Sequence, residues 1–186
     1  MAILHRATLT PTKTELLATW LPGQAWFDGE VDAVVPVAAY RFDDPAGEVG
    51  IESHLVEVDG RTVHVPLTYR AAPLAGADAW LVGAMEHSVL GTRWVYDAVG
   101  DPVYVAELAR VVREGDGQAE LLVQTPDGPE RREPTMDVRG DGVDVPPGAR
   151  VVVEREPGEP AASATGPLLA GTWPGRPTPT VLVRLV

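Results

Sequence analysis

Seven side chains stand out as able to touch a ligand or a partner: Trp26, Tyr69, Arg70, Glu86, His87, Arg93 and Asp97. Four of them fall within residues 79–101, where Glu86-His87-Ser88 sets an acid, a base and a hydroxyl in series and Asp97 comes close if the segment folds as a hairpin. These are the residue types of a hydroxyl nucleophile with its base and an orienting acid. Neighbours on a strand point to opposite faces, however, so His87 cannot turn the same way as both Glu86 and Ser88. The run therefore reads as a turn whose polar groups satisfy backbone amides. No spacing supports a metal site from Glu86, His87 and Asp97, and no catalytic residue, cofactor or metal is expected.

Phosphoryl transfer has its own requirements: a cation on the phosphates, a metal-binding acid and a positioned catalytic group. The sole lysine, Lys13, starts a helix; no Gly-x-Gly-x-x-Gly or Gly-x4-Gly-Lys-Ser/Thr occurs, and no His is followed two residues later by Asp. The five tryptophans, Trp20, Trp26, Trp80, Trp94 and Trp173, could present faces to a sugar, but tryptophan is mostly buried and core is the simpler expectation.

The elements that must position these groups can be read from the pattern. Thr12 and Glu15 form a capping box, and Leu16, Leu17 and Trp20 continue on one helical face until Pro22-Gly23. From Val31 the period becomes two, through Phe42; Asp44-Pro45-Ala46-Gly47 turns the chain into a strand over 48–58. Asp59-Gly60 is a hairpin signal with 61–70 as the partner strand. With Asp59 and Gly60 as the loop, His54 opposes Val65 and shares a face with Val56, Val63 and Leu67, while His64 lies on the other face beside Leu55, so the two histidines cannot meet on one metal. His54 is expected to be buried and structural.

Residues 79–85 and 92–98 form the central hairpin. Asp101-Pro102 then opens a helix whose apolar face carries Tyr104, Val105, Leu108, Val111 and Val112. Beyond Gly115-Asp116-Gly117 the texture changes to short strands, over 119–125, 130–139, 150–155, 168–173 and 180–186, between Pro/Gly turns such as 126–129. A boundary is expected there, with one unit over 1–115 and a β-rich extension over 118–186. The chain has 186 residues, 45% of them hydrophobic, which suits a folded core. Its net charge of -12 disfavours nucleic acid and anionic membrane as partners. No cysteine is present, and neither a leader nor a membrane span is legible, so a cytoplasmic protein is expected.

Three motifs, Trp20-Leu21-Pro22-Gly23-Gln24-Ala25-Trp26-Phe27, Val65-Pro66-Leu67-Thr68-Tyr69-Arg70 and Trp94-Val95-Tyr96-Asp97-Ala98, together resemble the maltokinase N-terminal cap domain, over roughly residues 1–115. Ala25 stands where that family often has arginine. The whole chain looks like the short actinobacterial cap-like proteins sometimes labelled glucan-branching proteins. The resemblance implies an α+β fold, a curved antiparallel sheet wrapped on a helix in the cystatin-like manner, with a small β element after it. In full-length enzymes of the family the cap precedes the kinase body, which phosphorylates maltose with ATP, and does not carry the catalytic residues. The expected role is therefore a non-catalytic accessory or regulatory module of trehalose, maltose or α-glucan metabolism, working through contact with a sugar kinase or another protein of that route. The alternatives are an enzyme acting on α-glucan or a sugar phosphate, and a carbohydrate-binding module.

Overall fold

Residues 2–4, 7–125 and 128–186 are described by a computed structural model. Its centre is a six-stranded antiparallel sheet, strongly curled, in the order β2-β6-β7-β5-β4-β3, where β2 is Leu9–Thr10, β3 Val35–Asp43, β4 Gly50–Val58, β5 Arg61–Arg70, β6 Leu81–His87 and β7 Gly91–Asp97. The Asp59-Gly60 hairpin takes the register that its turn demands, with Val58 facing Arg61, Val56 facing Val63 and His54 facing Val65. His54 is buried, as expected.

Both faces of this sheet are covered, which is why β4 and β5 are buried along almost their whole length instead of alternating. Helix α1, Lys13–Trp20, lies on one face. It opens with the capping box, in which Glu15 N–H donates to the Thr12 hydroxyl and Thr12 N–H to the Glu15 carboxylate. Leu16 and Leu17 then pack with Val56, Val63, Val65 and Leu67. Helix α2, Pro102–Glu114, lies on the other face, started by the Asp101 carboxylate, which accepts from Val103 N–H, and stopped at Gly115 in the left-handed region. Its buried side chains Tyr104, Leu108, Val111 and Val112 recur at helical spacing and meet Tyr40, Ile51 and Leu55 of the sheet.

The same core is completed by a four-stranded sheet, β10-β12-β13-β11, built from β10 Asp137–Gly140, β11 Val151–Val153, β12 Leu168–Trp173 and β13 Arg176–Leu185. Val138, Leu169, Leu182 and Val183 join Leu55 and Leu108 in one cluster, so this four-stranded sheet docks on the six-stranded one. A third, three-stranded sheet pairs β1, Ala2–Leu4, in parallel with β8, Leu121–Thr125, and β8 with β9, Gly128–Arg132.

The expected strand over 130–139 is two strands in different sheets, because Pro134 interrupts it and the Thr135 hydroxyl bridges the backbone of Ala39. The expected strand at 79–85 starts later, since Asp78–Trp80 is a 3-10 turn. Two short strands, β1 and β2, precede α1; His5 and Arg6 between them lie outside the described residues, as do Pro126 and Asp127 of the turn at 126–129.

Gly140 is the contact on which α2 rests. A Cβ there would lie 2.3 Å from the Val111 carbonyl oxygen and 2.5 Å from the Val112 Cα, both backbone atoms of the helix. Gly140→Ala is therefore expected to cost about 1–3 kcal/mol through overpacking, read as a lowered urea midpoint. A variant as stable as the wild type would show that helix and strand can separate freely.

Candidate functional site

A cleft of about 510 Å³ opens on the α1 face of the curled sheet, at the end where β4 begins and β5 ends. The sheet register places its walls. Arg93 faces Met85 across β7 and β6, His87 faces Leu9 of β2, and Arg41 faces Glu52 across β3 and β4. Lys13, the first residue of α1, reaches over the Tyr69 ring, with its ammonium 5.5 Å from the ring centre. The end of β3 and the β3–β4 loop supply Asp43, Asp44 and Glu48 on the far side.

Under this cleft sits a charged network that the motifs of the sequence do not single out. The Glu52 carboxylate pairs with Lys13, and lies 3.6 Å from the Arg41 guanidinium and 3.4 Å from His54 Nε2. Burial alone would raise the Glu52 pKa, but His54, Lys13 and Arg41 outweigh it and hold the carboxyl well below its usual range. His54 Nε2 also shares a hydrogen bond of 3.1 Å with the Tyr69 hydroxyl. Burial, reinforced by Glu52, pushes that hydroxyl well above the usual tyrosine range, so it stays protonated and acts as a hydrogen-bonding group. A signal was available: Glu52-Ser53-His54 places a carboxylate and an imidazole two apart, hence on one face, in the middle of an apolar strand.

The seven candidate residues divide. Tyr69, His87 and Arg93 line the cleft together. His87 Nδ1 accepts from Val89 N–H at 3.2 Å and Leu90 N–H at 3.1 Å, which fixes the turn and leaves the ring proton on Nε2. Ser88 Oγ accepts from Thr8 N–H, so His87 and Ser88 of this run serve backbone amides, as expected of a turn. Glu86 accepts from the Thr92 hydroxyl across the hairpin, on the face opposite His87.

The other three are engaged by this chain. Arg70 makes two 2.7 Å bonds to the fully buried Asp101, tying β5 to the start of α2. Asp97 pairs with Arg155, whose guanidinium also lies 4.4 Å from the Trp26 ring centre. One side chain from the later part of the chain thus covers two of the expected contact residues. Trp173 is core, while Trp80 is 40% exposed, so tryptophan burial is mixed. Among the described residues no group of three His, Cys, Asp or Glu is placed to hold a metal ion, and no helix is long and apolar enough to cross a membrane.

Residues 20–101 match the sequence profile of the maltokinase N-terminal cap domain. The chain carries a cap-like domain of that kind. The matched segment begins at Trp20, the last residue of α1, and ends at Asp101, the N-cap of α2, so it contains β3 to β7. The cap-like domain therefore supplies Arg41, Glu52, Tyr69, His87 and Arg93 to the cleft, while Lys13 and Leu9 come from the segment before the match. No curated protein matches the chain.

Proposed function

We propose that the protein is a cytoplasmic, non-catalytic accessory or regulatory module of trehalose, maltose or α-glucan metabolism, in which a cap-like domain over 1–115 carries a β-rich extension over 118–186 and acts by contact with a sugar kinase. The observation that supports this reading is the make-up of the chain after the matched segment. Among the described residues of 102–186 there are one α-helix, one 3-10 turn and six strands, and β10 to β13 share the α2 core with the six-stranded sheet. The extension covers the sheet face opposite α1, so a partner has to approach elsewhere. Four exposed large apolar side chains, Trp80, Leu81, Val89 and Leu90, sit at the two ends of β6. Apolar groups left in water at a hairpin suit a contact surface.

The test is light scattering and calorimetry on mixtures of this protein with a maltose-phosphorylating kinase, together with an assay of the protein alone on ATP, magnesium and maltose. A complex weakened by Val89→Asp and Leu90→Asp, and no maltose phosphate above the protein-free control, are the expected results. Maltose phosphate formed by the protein alone would overturn the non-catalytic reading, and absence of any complex would overturn the partner reading.

A further inference from the structure

Independently of any protein partner, we propose that the cleft is a binding site for a small hydroxylated metabolite bearing one oxyanion, a phosphate monoester or a carboxylate, seated on Arg93. Three cations come to its walls from three elements, Lys13 from α1, Arg41 from β3 and Arg93 from β7. Glu52 answers the first two. Arg93 has no carboxylate partner among the described residues; one guanidinium nitrogen donates to the adjacent Thr92 carbonyl at 3.0 Å, which leaves the rest of its fork to the cleft. A guanidinium offers five donors in a plane that matches carboxylate and phosphate oxygens two at a time, so a half-buried one without an acid is fitted to an incoming anion.

The remaining walls set what the anion is attached to. Asp44 spends its carboxylate on the amides of Ala46, Glu48 and Val49 and holds the β3–β4 loop in shape. Glu48 stands exposed on that loop, across the sheet from Arg93. Acids on that side repel a second anionic group and accept hydrogen bonds from hydroxyls. That excludes a polyphosphate or a nucleic acid strand and favours a neutral, hydroxyl-bearing body. Leu9, Met85 and Leu90 give apolar area beneath it, and the cleft volume is within the usual range for small-molecule sites.

Calorimetric titration of the intact protein with glucose 6-phosphate, glucuronate and glucose tests this. At least one of the two charged sugars is expected to bind, which of them naming the oxyanion, while glucose does not. Arg93→Gln is expected to weaken that binding about tenfold or more, and added salt to weaken it in the wild type. The variant should keep the wild-type circular dichroism and urea midpoint, since among the described residues the Arg93 guanidinium bonds only the Thr92 carbonyl. Failure of both charged sugars to bind, equal binding of glucose, or unchanged affinity in Arg93→Gln would each overturn the proposal. None of these outcomes bears on whether a kinase is bound, so the two readings stand or fall separately.

Discussion

Replacing Glu52 by glutamine is expected to cost the protein about 3 kcal/mol of stability. The change is nearly isosteric, so almost all of the effect is electrostatic. It leaves the Lys13 ammonium and the Arg41 guanidinium near a buried amide, without the carboxylate that faces both. Lys13 is the first residue of α1, so the loss also loosens the helix from the sheet. The figure lies at the low end for breaking a buried pair because Lys13 is partly exposed and can recover some hydration. Urea denaturation of the two proteins measures it; a difference below about 1 kcal/mol would mean that solvent already screens the network.

Acidification from pH 7 to pH 5 should lower stability, and His64 is the cause. The residue is fully buried against Tyr40, whose hydroxyl shares a 3.1 Å hydrogen bond with its Nε2. Burial, with help from the nearby Arg155, lowers its pKa from 6.5 to about 3. The unfolded chain therefore takes up a proton near pH 6.5 that the folded chain refuses until about pH 3. The contribution of neutral His64 is complete above pH 6.5 and is lost progressively as pH falls from there to about 3, by up to about 1.4 kcal/mol per pH unit. Glu52 and Asp101, with lowered carboxyl pKa values, are lost only at more acid pH. Asp97, whose pKa burial raises, works against the slope. Denaturation at pH 7, 6 and 5 should show stability falling in the wild type and level in His64→Gln. A flat wild-type profile, or the same slope in the variant, would place the proton elsewhere.

Local chemistry made much of this fold legible. The capping box at Thr12, the proline after Asp101 and the Asp59-Gly60 turn each act within four residues, so the sequence carries the whole interaction. The hairpin register is then set by the turn, and with it the placement of His54 and His64 on opposite faces. Pairings between residues far apart are not displayed in the same way. Lys13 and Glu52 are 39 positions apart, and Arg155 and Asp97 are 58 apart. Glu52-Ser53-His54 shows an acid and a base on one face, but nothing in either local pattern marks the distant Lys13 or Arg155, so Trp26 and Asp97 read as open contact residues. The split of 130–139 was hidden for a related reason, since Thr135 leaves the strand to bond Ala39, 96 residues away.

The two cores differ in when a growing chain can close them. The cluster under α1 draws on residues between Leu16 and Val95, with Leu9 at its margin, so everything it needs has been made well before the chain is finished. The cluster under α2 needs Leu182, Val183 and Leu185 of β13 as well as Ala38 and Tyr40 of β3. During vectorial synthesis one side of the sheet can be sealed while the other waits for almost ninety further residues to leave the ribosome, counted from Val95 to β13. Through that interval α2 alone can cover Tyr40, Ile51 and Leu55, and the side of the cluster that Leu169, Leu182 and Val183 complete stays open. Nascent-chain protection by a holdase chaperone, or a slow step between residues 95 and 185, matters to this protein more than its modest size suggests.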